Sequence, residues 1–156
     1  MRFLIQKVSS AEVSVEKNII GNIQDGLCVF VGFKNNDTIE DINYLVNKLV
    51  NMRIFPDENK VKYFDKSILE TNYKILLISQ FTLYADNTKG RRPSFLSAAK
   101  SEIAKKLYKT TTELIRSYNI PLETGKFQAM MEIKLVNIGP TTIMIDSDYK
   151  NYTNWS

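Results

Sequence analysis

The sequence predicts a single α+β domain. Short apolar strand-like runs, two amphipathic helices, and the lack of the strand–helix alternation that builds a doubly wound sheet together point there. At 156 residues, 44% hydrophobic, with 6 Gly and 4 Pro, the chain suffices for one buried core and shows no linker or repeat.

The elements follow in order. Phe3–Val8, Val13–Val15 and Leu27–Phe33 read as strands, with Gly21-Asn22 and Asp25-Gly26 as turns. Asp37 is the expected cap of a first helix, with Glu40 completing a capping box three residues on. Ile39, Ile42, Leu45, Val46, Leu49 and Val50 then recur at helical spacing until about Arg53-Ile54-Phe55, before Pro56. Residues 57–67 are polar and read as an irregular loop. Lys74–Phe81 reads as a buried strand, and residues 84–94 as a basic loop punctuated by Gly90 and Pro93. A second helix is expected over about 95–118. Phe127–Val136 alternates as a strand, Gly139-Pro140 breaks the chain, and Thr141–Asp146 forms a further strand. The final residues are polar with isolated aromatics, a loose tail.

Composition removes whole classes of chemistry. There is no histidine, so Ser-His-Asp and Cys-His catalysis, the H-E-x-x-H zinc helix and classical zinc fingers are excluded. The single cysteine, Cys28, lies in the apolar run Leu27–Val31 and reads as a core residue. No G-x-G-x-x-G or Walker A segment supports a nucleotide cofactor. Asp86 and Asp146 have no identifiable carboxylate partner. Asp146 and Asp148, two apart near a strand end, could face the same way but are too few for a metal site and read as solvated acids, so no metal site is expected. With no signal-peptide pattern and no 18-residue apolar run, a cytoplasmic protein is expected.

Charge is unevenly spread. Between Lys74 and Arg116, nine Lys/Arg face three acids, a surplus of +6 in a chain of net +4. Such a field suits a polyanionic partner, although a solvated helix face has the same composition. Two places carry more polar chemistry than their surroundings require. In Ser79-Gln80-Phe81-Thr82, strand alternation sends the two hydroxyls to opposite faces, while backbone N–H groups freed at the strand end can converge on a developing oxyanion. Gly139-Pro140 can expose its carbonyls in a fixed direction, or simply form a turn. Residue chemistry alone leaves a small hydrolytic or transfer enzyme acting on an anionic substrate, or a non-catalytic RNA-binding module. The lack of an RRM aromatic signature or GXXG loop weakens the second.

Ser79–Ala85 followed by Lys89-Gly90-Arg91-Arg92-Pro93-Ser94-Phe95 resembles the D-aminoacyl-tRNA deacylase family, first known as D-tyrosyl-tRNA deacylases. Asn137–Thr142 with Asp146 is similar to its second signature, and the likeness runs in order over about residues 1–147, leaving 148–156 as the tail. The resemblance implies barrel-like α+β subunits with two main helices, paired as a homodimer. It implies hydrolysis of the ester of D-aminoacyl-tRNA, and of glycine mischarged on tRNA-Ala, without metal, nucleotide or flavin. On that likeness the catalytic residues are Ser79, Gln80, Phe81 and Thr82: the first three form the pocket around the terminal adenosine and ester, and Thr82 matches the threonine once favoured as a nucleophile. Gly139 and Pro140 match a cis dipeptide that selects chirality in the partner's site. Lys7 and Thr142 support that dipeptide, and Lys89, Arg91 and Arg92 bind tRNA. Lys7 departs from the family's usual arginine, keeping the charge but losing the planar fork. Residues 59–64 and Thr141 depart too. The alternative is a non-catalytic tRNA-binding or RNA-binding protein on the same scaffold.

Overall fold

The computed structural model describes residues 1–59 and 61–149. The organising strand is β1 (Arg2–Val15), one uninterrupted run where two short strands are expected. On one flank it pairs antiparallel with β2 (Asn18–Ile23) and then β3 (Gly26–Gly32), laid end to end. On the other flank it pairs from Arg2 to Ser14 with β6 (Glu132–Asp146). Parallel to β3 runs β4 (Lys74–Ser79), and parallel to β4 runs the short β5 (Leu122–Thr124). β2 curls toward this edge: a Cβ on Gly21 would lie 3.2 Å from the Thr124 carbonyl oxygen. The mixed sheet is thereby nearly closed into a barrel, with helices α1 (Ile39–Asn51) and α2 (Ser101–Ser117) packed outside it.

Alternation in β3 and β4 explains the two halves of the core. Leu27, Val29, Val31, Ile75 and Leu77 meet Ile42, Leu45, Val46, Leu49 and Val50 of α1 and Tyr108 and Ile115 of α2. Cys28, Leu76 and Ile78 point the other way, into the barrel, with Val8, Ala11, Val13 and Ile23. Both strands are buried on both faces, which is why they read as continuous apolar runs. Burial pushes the Cys28 thiol up to about 12.

Several expectations need correcting. The β1–β2 turn is Glu16-Lys17, both with positive φ (50° and 66°), which suits the twist of a tight hairpin; Gly21-Asn22 lie inside β2. The cap of α1 is Thr38, whose N–H donates to Asp41 at 2.8 Å, one residue later than expected. Asp37 is instead drawn into the core by the Met1 ammonium at 2.5 Å. α1 ends at Asn51, and α2 begins at Ser101. Residues 95–98 instead make a turn closed by Ala98 N–H donating to the Phe95 carbonyl (3.0 Å), after which Ala99 N–H donates to the Phe33 carbonyl (2.8 Å) and Lys100 N–H to the Asn35 side chain (2.9 Å). β6 starts five residues later than expected, since Phe127 leaves the strand line to pack on Tyr108 with ring centroids 5.6 Å apart. Asp146 is buried, not solvated, and its carboxylate pairs with Arg2 at 2.6 Å. Asp148 pairs with Lys34. Ser147–Tyr149 form a 3-10 turn; the rest of the expected tail, 150–156, lies outside the described residues. No described helix is long and apolar enough to cross a membrane.

Candidate active site

The site forms where the parallel strands β3 and β4 end, the usual place for a pocket beside parallel strands. β4 stops at Ser79, and Phe81–Tyr84 then make a 3-10 turn, so strand alternation does not govern the whole motif. Three contacts hold this turn. The Gln80 N–H donates to the Val31 carbonyl at 2.7 Å, and Arg2 Nη1 donates to the Leu83 carbonyl at 2.9 Å. The same guanidinium is clamped by Asp146 and lies 4.5 Å from the Tyr84 ring centroid. Gly32 is required here: a Cβ would sit 3.0 Å from both the Gln80 carbonyl and Leu83 Cβ.

The resulting pocket has a volume of about 580 Å³, enough for a nucleoside carrying an amino acid. Ser79, Gln80 and Phe81 line one wall, Phe95 and Ala99 another, and the segment around Phe127 and Met131 a third. Phe81 and Phe95 meet edge to face with centroids 5.0 Å apart and planes inclined at 69°, an aromatic corner in which a flat ring can stack on one face and meet the other ring's edge. Thr82 does not line the pocket; it is exposed, and its hydroxyl accepts a hydrogen bond from the Gln80 amide. Because Gln80 N–H is already committed to Val31, the amides left without a backbone acceptor among the described residues are those of Phe81 and Thr82. No carboxylate or ammonium among the described residues hydrogen-bonds to the Ser79 or Thr82 hydroxyl.

The basic loop emerges from the pocket rim. Asp86 and Ser94 close its base through two backbone hydrogen bonds (2.8 and 2.9 Å), and Lys89, Arg91 and Arg92 project into solvent from its tip. Asp86 also accepts from the Thr88 N–H (2.9 Å) and hydroxyl (2.7 Å), which hold its carboxyl below the ordinary carboxylate value.

Gly139-Pro140 is a cis pair, exposed, and absent from the walls of this pocket. One chain therefore does not bring the two motifs together. From Gln6↔Thr142 to Val8↔Asn137, β6 advances five residues while β1 advances two, so 138–141 stand out from the sheet as a bulge. Asn137 ties its base. Its Nδ2 donates to the Lys7 carbonyl (3.1 Å) and the Thr141 carbonyl (2.9 Å). The side chain of Lys7 points elsewhere, donating to the Ile54 carbonyl at 3.2 Å, while Thr142 accepts from Gln6 Nε2 at 3.2 Å. The motif likeness gives Asn137 no role beyond its place in the signature, and it does not single out Arg2. The presence of an amide two residues before the Gly-Pro pair was the available signal for Asn137.

The chain is similar to known proteins over most of its length. A family model described as D-Tyr-tRNA(Tyr) deacylase matches residues 4–146. A D-aminoacyl-tRNA deacylase of Thermosipho melanesiensis is 51% identical over 148 residues, covering 94% of this chain and 97% of the relative. One from Halothermothrix orenii is 48% identical over 148 residues, covering 95% and 98%. A solved structure titled c-Myc DNA Unwinding Element Binding Protein superposes with a TM-score of 0.88 at 35% identity, covering 94% of this chain and 98% of that one. By the family match and these identities, the chain belongs to the D-Tyr-tRNA(Tyr) deacylase family.

Proposed function

We propose that this protein is a D-aminoacyl-tRNA deacylase that hydrolyses the ester joining a D-amino acid, or glycine mischarged on tRNA-Ala, to the terminal adenosine. The observation that carries the reading is the apolar pocket edged by Ser79, Gln80 and Phe81, with free backbone amides beside it and a basic loop at its rim. The aromatic pair suits a nucleobase, and the loop suits the phosphates behind it.

The chemistry needs no side-chain nucleophile. Without histidine, and without a base on either hydroxyl, Ser79 and Thr82 lack the activation that serine or threonine attack requires. In the proposed mechanism the 2′-hydroxyl of the terminal ribose positions a water that attacks the ester carbonyl. The amides of Phe81 and Thr82 stabilise the oxyanion, and the ribose oxygen leaves with a proton. The partner's Gly139-Pro140 would close the pocket from outside and reject an L side chain. Its exposed position away from its own chain's pocket supports that cross-subunit role. A homodimer is part of this proposal.

The test is single-turnover release from tRNA charged with D- or L-tyrosine, with a 2′-deoxy terminal nucleoside as a third substrate. Fast release of D-tyrosine alone, strongly slowed on the 2′-deoxy substrate, supports the proposal. Equal treatment of both enantiomers sinks chiral selection, and normal turnover of the 2′-deoxy substrate sinks the mechanism. The 35% identity to a protein titled as binding a DNA unwinding element favours one second reading, nucleic-acid binding without catalysis. Under it, charged tRNA is bound and the ester survives.

A further inference from the structure

Among the described residues four non-glycine residues have positive φ, and three are explained by local structure. Glu16 and Lys17 form the β1–β2 hairpin turn, and Asn119 (φ 59°) follows the end of α2, where a left-handed residue commonly closes a helix. Gln128 (φ 63°) is the fourth. It lies in a turn closed by Ala129 N–H donating to the Lys126 carbonyl at 3.2 Å. Phe127, at the first central position, has no positive φ, so this is a type II arrangement with Gln128 at the position that favours glycine.

The turn is firmly held on both sides. Before it, Gly125 N–H donates to the Leu77 carbonyl (3.0 Å), and a Cβ on Gly125 would lie 2.7 Å from Met131 Sδ. Within it, the Phe127 ring packs on Tyr108, whose hydroxyl donates to the same Leu77 carbonyl at 2.9 Å. A glutamine therefore occupies a glycine conformation on a rigid support, at the mouth of the pocket. Gln128 is exposed, and among the described residues its amide has no hydrogen-bond partner, so it is available to a ligand in the pocket it lines.

We infer that Gln128 is a specificity-determining residue of the pocket, reading the edge of the terminal adenine through its primary amide. This rests on the deacylase reading of the same pocket. An amide offers one donor and one acceptor side by side, matching the 6-amino group of adenine and its neighbouring ring nitrogen. Phe81 and Phe95 hold a flat ring but cannot tell one purine from another; Gln128 supplies that distinction.

The experiment is a cycle on half-saturation in single-turnover hydrolysis. Wild type and Gln128→Gly are each given D-tyrosyl-tRNA ending in adenosine or in purine riboside, which lacks the 6-amino group. Gln128→Asn, which tolerates the left-handed backbone but is one methylene shorter, serves as a second variant, and thermal melting checks folding. Wild type should need about tenfold more purine-riboside substrate, and both variants should lose most of that difference. Gln128→Gly should melt no lower than wild type, because glycine relieves the positive φ. An equal purine-riboside penalty in wild type and variants overturns the inference, as does no penalty in wild type. Wild-type failure to hydrolyse either substrate sinks the deacylase reading, and this inference with it.

Discussion

Asn137 spends one amide nitrogen on two carbonyls, and through them fixes where the Gly139-Pro140 bulge leaves the sheet. Asn137→Ala should lower stability by about 1–3 kcal/mol, the range for partly buried hydrogen bonds, and reduce the D/L rate ratio more than the D rate itself. A melting curve and paired D- and L-tyrosyl-tRNA assays check this; an unchanged ratio would leave Asn137 a purely structural tie. Thr82→Ala should keep most hydrolysis, because that hydroxyl is exposed and bonded only to the Gln80 amide among the described residues. Single-turnover rates decide it. Cys28 is fully buried with its thiol pushed up to about 12, and should react with a thiol reagent only when the chain unfolds. At this scale the sequence showed the site's residue types through Ser79–Thr82 and Gly139-Pro140. It could not show Asn137's work, which depends on the register jump opposite Lys7. Nor could it show that Asp146 is buried, because Arg2 lies 144 positions away.

Among the elements, the loop between Asp86 and Ser94 should depend on pH. Hydrogen bonds from Thr88 hold the folded Asp86 pKa below its ordinary value. Its contribution to loop order is therefore present above about pH 4 and lost as pH falls through the folded pKa. NMR line shapes of residues 87–93 should sharpen on acidification below that point, and Asp86→Ala should show the sharpened state at neutral pH. Charge reversal at Arg91 and Arg92 should weaken tRNA binding and flatten its salt dependence; an unchanged slope would make the loop a solvated face. Elements with strong internal period, such as α1 and β4, were legible from the sequence. Boundaries set by a distant partner were not: α2 starts only at Ser101 because Phe33 and Asn35 claim the Ala99 and Lys100 amides, and Phe127 leaves β6 for Tyr108.

For the whole molecule, the separation of the two motifs within one chain leads to a prediction about assembly. Sedimentation at micromolar concentration should give twice the 18.0 kDa chain mass, and a fully active monomer would overturn the shared site. The α+β class was legible because two helical faces and several strands each need a common core. The near-closure of the barrel was not, since it rests on one long β1 serving three partners and on the close approach of β2 to β5. That same pairing sets an order in time. β1 is the first strand to leave the ribosome, yet the flank from Arg2 to Ser14 is filled only by residues 132–146. Until those residues emerge, the nascent chain carries a bare strand edge able to join a neighbour on the same message. The emergence of residues 132–146 thus decides whether β1 folds or aggregates.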